Sequence, residues 1–178
     1  EKSKVKEYVS STFFSLSMIS VAIAAVVLIV SLLFDWQAVM NTELPETELL
    51  FGFMVTGLLF AANFAISFLN QTFYAYQRPS LSSLVIFLSN LFAVVFVLVI
   101  SIGLEENLVL VAASYSSSQI LSRLLIGYFF FKRHDEAAPE IGYFSLSRAR
   151  EILKLGSKFF IIQIAAIVIF TTDNMIIT

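Results

Sequence analysis

The chain has 178 residues, of which 58% are hydrophobic and only 13% are charged, and its formal net charge is −2. A soluble domain of this size carries about 25% charged residues, so most of this surface must face something other than water. Cysteine is absent, which excludes a disulfide framework and a thiolate metal site.

Five stretches of the chain are long and apolar enough to cross a bilayer as helices. A spanning helix needs ~20 mostly apolar residues to cross ~30 Å of hydrocarbon. Helix is the expected state because lipid offers the backbone no hydrogen-bond partner. The buried core helices of a soluble protein explain one such stretch but not five in a short chain. The predicted spans cover residues 13–34, 49–73, 81–102 and 108–131, and a fifth begins at residue 159.

The charges between the predicted spans are sorted by loop. Lysine and arginine occur before the first span, between the second and third, and between the fourth and fifth. The two remaining loops carry only acidic charges. By the positive-inside rule, residues 1–8, 75–80 and 132–158 are predicted to be cytoplasmic, in a multi-pass protein of the inner (plasma) membrane.

The segment at residues 132–158 is the longest predicted cytoplasmic connection. Ser145 or Ser147 is suited to cap a short helix through Leu155, and Gly156 is expected to end that helix before the fifth span. Its mixture of apolar and basic residues fits an amphipathic helix lying on the membrane surface. A plain linker explains the segment equally well.

Polar side chains recur on single faces of the predicted spans. In the second span they follow helical intervals of three, four and seven residues, and in the fourth they form two neighbouring i+4 rows. They either bond neighbouring helices or line a hydrated cavity, and the two stripes together favour the cavity. A row of small residues, Gly57, Ala61 and Ala65, is suited to close helix contact instead. The predicted cavity residues are Arg123, Gln119, Tyr115, Asn63, Ser67, Asn70, Gln163 and Asn174.

Two ionisable residues lie inside predicted spans. Arg123 is nine residues before Lys132, or ~13 Å from the cytoplasmic boundary. Its role is either structural, with the side chain reaching toward that boundary, or substrate-facing. Asp173 is roughly 21 Å inside the fifth span. Its carboxyl binds a cation, exchanges a proton or pairs with a basic group, which makes it a candidate for ion or proton coupling, or it packs helices as a bonded or protonated group.

The sequence carries no recognisable catalytic chemistry. It has no Ser/His/Asp set, metal-ligand cluster or glycine-rich phosphate loop, so we expect no enzymatic activity, cofactor or metal. The single histidine, His134, has no partner that would make it a ligand. Nucleic-acid binding is excluded as well, because the basic residues flank the predicted spans.

Several motifs resemble those of a known membrane family. They are FYAYQR at residues 73–78, FFFKR at 129–133, GSKFF at 156–160 followed by Gln163, and TTDNMII at 171–177. These segments are similar to bacterial polysaccharide flippases, the O-antigen and capsule repeat-unit transporters of the multidrug/oligosaccharidyl-lipid/polysaccharide exporter superfamily. The resemblance covers essentially the whole chain.

The resemblance implies an all-α, two-lobed bundle of twelve to fourteen spans, of which this chain is an internal fragment. Residues 1–131 would supply four helices of the N-terminal lobe, 132–158 the inter-lobe linker, and 159–178 the first helix of the C-terminal lobe. The substrate would be an undecaprenyl-pyrophosphate-linked oligosaccharide, moved across the bacterial inner membrane by alternating access. Arg123 would attract the pyrophosphate, polar faces would meet sugar hydroxyls, and Asp173 matches the acidic position of the motif.

The partners so implied are the lipid bilayer, the lipid-linked oligosaccharide and other polysaccharide-assembly proteins. Two alternatives stay open. One is a drug or small-solute exporter of the same superfamily. The other is a non-transport membrane subunit or an oligosaccharide polymerase, the latter of which needs a large periplasmic catalytic loop.

Overall fold

The computed structural model describes residues 2–103 and 108–177, with side chains throughout these ranges except at 108, 170, 171 and 173–177. The described residues form helices joined by turns and contain no β-strand. The helices are α1 (Lys2–Leu33), α2 (Trp36–Met40), α3 (Glu46–Ile66), α4 (Phe68–Ala75), α5 (Pro79–Gly103), α6 (Leu108–Arg133) and α7 (Leu146–Ile177). Two short 3-10 turns, Asp135–Ala137 and Ile141–Tyr143, lie between α6 and α7.

Five helical segments within the described residues are long and apolar enough to cross a membrane. They are α1, the consecutive pair α3 and α4, α5, α6 and α7. Their outer faces expose large apolar side chains, such as Ile86 on α5 and Ile161 on α7. Since lipid is as apolar as these side chains, the bilayer covers such faces at no hydrophobic cost. The predicted all-α, polytopic membrane fold is confirmed.

Helix α3 lies between α1 and α6, and the helices neighbour one another in the order α7, α1, α3, α6, α5. The small residues of α3 face α1. A Cβ atom added at Gly57 would lie 2.5 Å from Cγ1 of Val27, and Ala61 is only 2% exposed. The hydroxyl of Ser20 donates to the Ala61 carbonyl at 2.6 Å. The close contact predicted for this row is therefore confirmed at Gly57 and Ala61.

The second predicted span is interrupted at Ser67. The Ser67 N–H bonds the Phe64 carbonyl three residues back at 3.2 Å, and the Ser67 hydroxyl donates to the same carbonyl at 2.7 Å. After this break, α4 buries Phe68, Leu69 and Phe73, which form the main apolar core with residues of α5 and α6. We call the end of the bundle that holds this core, the α1 N-terminus and residues 134–145 the linker end.

The predicted helix end at Gly156 is wrong, because α7 runs unbroken from Leu146 to Ile177. No described glycine has a positive φ, so no left-handed cap stops the helix here. A single glycine costs a helix interior only about 1 kcal/mol relative to alanine. The first turns of α7 do not form a separate surface helix. They pack on α1, with Ala149 3% exposed and the Arg148 Nε atom 3.4 Å from a Glu7 carboxylate oxygen.

The contact between α1 and α3 predicts opposite effects for two glycine substitutions. Gly57→Ala should destabilise the protein by about 1–3 kcal/mol, because the new methyl group overlaps Val27. Adding Val27→Ala should recover much of this loss by making room. Gly156→Ala, which meets no atom within 4 Å, should be neutral or stabilising.

Thermal unfolding of the full-length variants in detergent measures these effects. Equal stabilisation by Gly57→Ala and Gly156→Ala would contradict the close approach of α1 and α3.

Candidate substrate cavity

Two predicted cavity residues, Asn63 and Arg123, are joined between neighbouring helices. Arg123 on α6 donates through Nη1 to Oδ1 of Asn63 on α3. The amide Nδ2 of Asn63 donates in turn to the Ser116 carbonyl on α6 at 3.1 Å. Asn63 thus uses its acceptor and one of its donors on the same neighbouring helix, which fixes its side chain between α3 and α6.

Arg123 is partly buried and is satisfied only in part. Its Nε atom is buried and has no hydrogen-bond partner among the described residues. Within the same part of the chain no carboxylate forms a salt bridge with it. A guanidinium inside a span costs about 2.5–3.5 kcal/mol on insertion scales, and a neutral amide offsets only some of this. The charge of Arg123 is therefore not balanced by any described carboxylate.

The serine row beside Arg123 serves packing. Ser114, Ser118 and Ser122 are buried, and each hydroxyl donates to a carbonyl three or four residues earlier on α6. Since these donors are used within the helix, these hydroxyls have no free proton to offer a solute.

The other predicted cavity residues are spread over the bundle. Gln119 is partly buried one turn before Arg123, and Tyr115 is 54% exposed a further turn away. Ser67 bonds its own helix at the α3–α4 break. Asn70 on α4 has a buried Oδ1 atom without a described partner. Gln163 is exposed on α7, and the side chains of Asn174 and Asp173 lie outside the described residues. Among the predicted cavity residues whose side chains are described, Asn63 and Arg123 alone share a hydrogen bond.

A cleft that does not contain Arg123 lies beside α2 and the first turns of α3, away from the linker end, and has a volume of about 480 Å³. Trp36 and Phe53 stack in it with ring centroids 3.6 Å apart, and Thr56 is among its few polar residues. It is an apolar cleft suited to an apolar or aromatic ligand. Within the described ranges, no three His, Asp or Glu side chains lie together as metal ligands.

The segment between α6 and α7 is tied to α1. The Glu140 carboxylate lies 2.6 Å from Nζ of Lys6. The Ser10 hydroxyl accepts from the Glu140 N–H at 3.0 Å, and the Ser11 hydroxyl accepts from the Ser145 N–H at 3.0 Å. Because backbone groups are bonded as well as side chains, this segment is held in one position on α1.

A second set of contacts ties the same segment to α4. The Glu136 carboxylate lies 3.4 Å from the hydroxyl of Tyr76 and 3.4 Å from Nδ1 of His134. A bond from its own backbone N–H, with help from His134, lowers the pKa of Glu136. Burial, followed by the nearby Glu136 carboxylate, raises the pKa of Tyr76. At neutral pH, Tyr76 is therefore a neutral donor to an ionised Glu136.

A family model described as polysaccharide biosynthesis protein matches residues 1–178, the whole of the chain. The chain belongs to the polysaccharide biosynthesis protein family. Members of this family are typically membrane transporters rather than enzymes. No curated protein and no solved structure matches the chain significantly.

In this polysaccharide biosynthesis protein, sequence reasoning missed the residues that hold the linker. The positive-inside rule treats Lys6 only as a basic residue beside the first span, and it gives no role to Ser10 or Ser11. One sequence feature could have indicated this contact. Ser10 and Ser11 follow the lysines of α1 by one helical turn, at the end of the helix where a polar loop must pack. Ser116 was missed because its contribution is a backbone carbonyl, which side-chain patterns do not reveal.

The bond between Asn63 and Arg123 predicts a measurable coupling. Asn63→Ala and Arg123→Ala should each destabilise the protein, and the double variant should lose less than the sum, with a coupling of about 1–2 kcal/mol. Ser118→Ala is a matched control, because it removes one bond within α6 only. A double-mutant cycle on thermal unfolding of the full-length protein measures the coupling, and additive effects would contradict the contact.

Proposed function

We propose that this protein translocates undecaprenyl-pyrophosphate-linked oligosaccharide repeat units across the bacterial inner membrane by alternating access. The observation that carries the proposal is Arg123, a partly buried guanidinium inside a spanning helix, held by Asn63 and facing no described carboxylate. Membership of the polysaccharide biosynthesis protein family supports the choice of substrate class.

A pyrophosphate fits the chemistry of this position. Guanidinium is planar and presents paired donors that match phosphate oxygens. The Asn63 amide engages one Nη atom, and the buried Nε has no described partner, so the guanidinium keeps N–H groups that a ligand would bond once it displaced the groups covering them. An incoming phosphate would supply the negative charge that the amide lacks. Gln119, one turn away on α6, is proposed to bond a sugar hydroxyl beside it.

The linker end faces the cytoplasm in this proposal. The lysines of α1, Arg78 before α5, and the basic residues at the end of α6 all lie at that end, as the positive-inside rule requires. The lipid-linked substrate would enter from the cytoplasmic leaflet toward Arg123, ~13 Å inside. Tyr115, Ser67, Asn70, Gln163 and Asn174 are proposed to meet the sugars once a second lobe, beginning with α7, closes over them.

Substitutions of Arg123 should distinguish a structural role from a substrate-facing role for this residue. Arg123→Ala should reduce transport by about 10- to 100-fold, the loss expected for one charge-assisted contact, and Arg123→Lys should be intermediate because lysine lacks the paired donors. The readout is build-up of lipid-linked oligosaccharide on the cytoplasmic leaflet in cells carrying the full-length variant.

Arg150→Ala, an exposed arginine on α7, is the control for this experiment. This chain contains no cysteine. In a full-length protein without other cysteines, a cysteine placed at Asn41 is the single thiol, and its accessibility reports membrane insertion. Loss of insertion, or wild-type transport by Arg123→Ala, would assign Arg123 a structural role.

Asp173 is proposed to couple transport to an ion or proton gradient. Asp173→Asn should lower transport and remove its dependence on the gradient, whereas Asp173→Glu should retain that dependence at a reduced rate. Transport into vesicles with imposed proton or sodium gradients measures the effect. An unchanged gradient dependence in Asp173→Asn would mean that the carboxyl only packs α7.

The second candidate function is export of a drug or small solute. It is favoured by the apolar cleft of about 480 Å³ in which Trp36 stacks on Phe53, since ligand pockets of this size and character are typical for drug-sized molecules. Drug-resistance profiles of cells that lack the protein distinguish the two functions.

A further inference from the structure

A second cleft, with apolar walls and two arginines and a histidine among its lining residues, lies at the linker end. Its volume is about 280 Å³, and it is formed by the α4–α5 turn, the start of α5 and the end of α6. Two arginines stand at its mouth and its floor is apolar. Its lining includes Arg78, Arg133, Leu81, Leu84 and Phe129.

The local backbone fixes Arg78 at this mouth. Gln77 has a φ of 54°, and its N–H bonds the Tyr74 carbonyl at 2.9 Å, while the Arg78 N–H bonds the Phe73 carbonyl at 2.8 Å. These two bonds form a Schellman motif that ends α4. Pro79 begins α5 immediately afterwards, in the first helical position, where proline is favoured. Arg78 therefore has little backbone freedom, although its side chain is exposed.

The two arginines have no anion of their own in the described part of the chain. Neither Arg78 nor Arg133 forms a salt bridge with a described carboxylate. The two carboxylates that follow Arg133 engage other groups. That of Asp135 lies 4.0 Å from Nζ of Lys6, and that of Glu136 engages Tyr76 and His134, the latter of which also lines the cleft. The N-terminus of α5 adds a partial positive charge beside Arg78. The mouth of the cleft is therefore an electropositive site without an internal counter-ion.

The apolar part of the cleft continues onto the lipid-facing surface. Leu84 is 40% exposed and Phe129 is 57% exposed, and both line the cleft with Leu81. A soluble phosphate would use only the arginines and would leave this apolar wall bare. A lipid fits both parts, with its phosphate at the mouth and its acyl chain along the wall.

We propose that this cleft binds the phosphate of an anionic phospholipid of the cytoplasmic leaflet, contacted by Arg78 and Arg133, with an acyl chain along Leu81, Leu84 and Phe129. Basic pockets between spanning helices on the cytoplasmic side are suited to anionic headgroups. The site is separate from Arg123, which lies ten residues before Arg133 on α6, or ~15 Å along the helix. It does not depend on which solute the protein transports.

Lipid binding by the purified full-length protein tests this site. Native mass spectrometry from nanodiscs of phosphatidylglycerol or phosphatidylcholine should show one retained phosphatidylglycerol that phosphatidylcholine does not replace. Arg78→Ala and Arg133→Ala should each weaken its binding about fivefold at low salt, and the double variant about 25-fold. Arg150→Ala is the charge-matched control and should bind like the wild type.

Two further arms identify the source of the phosphate. Leu84→Asn should weaken phosphatidylglycerol binding while both arginines remain, and millimolar inorganic phosphate should not displace the lipid. Displacement by inorganic phosphate would overturn the proposal in favour of a simple anion site. Wild-type phosphatidylglycerol binding by the double arginine variant would also overturn it. Retention of polyprenyl pyrophosphate alone would overturn it as well, because the cleft would then be part of a transport route. Thermal unfolding in neutral detergent verifies that the variants are folded.

Discussion

The organisation of this protein depends on one constraint, that lipid provides no hydrogen-bond partner. Backbone groups are therefore satisfied inside long helices, and each polar side chain must bond its own helix or the next one. Ser118 and Ser122 bond carbonyls of their own helix, so they add no contact between helices. Ser20 and Asn63 instead reach across to α3 and α6 respectively. These two bonds hold the central helix from both sides.

Apolar length predicted most of the fold because the bilayer sets a minimum length that few soluble helices reach. Breaks and continuations within helices were harder to predict. Gly156 was expected to end a helix, yet glycine stops a helix only when the backbone turns left-handed, and here the helix continues. The sequence around Ser67 has no glycine or proline that would predict a break in the helix. The break accompanies packing, since the following short helix buries Phe68, Leu69 and Phe73, each at most 4% exposed.

The candidate site was predictable only in part, for a related reason. A helical interval identifies the face of α6 that carries Arg123, because that relation is local. Its partner Asn63 lies 60 residues earlier, so the pairing requires the relative height of α3 and α6, which no local pattern specifies. The same applies to Ser10 and Ser11, whose partners lie 130 and 134 residues away. Spacing identifies polar faces, and packing decides which of them meet.

The basic residues of the linker end have more than one role because their surroundings differ. Lys6 is bound by Glu140, so its charge is used to hold the linker on α1. Arg78 and Arg133 border a cleft with apolar walls and no described counter-ion, so their charge remains available to a phosphate. Lysine and arginine counts orient a membrane protein without distinguishing these cases. The distinction comes from the carboxylates: those of Glu140 and Asp135 lie beside Lys6, and no described carboxylate forms a salt bridge with Arg78 or Arg133.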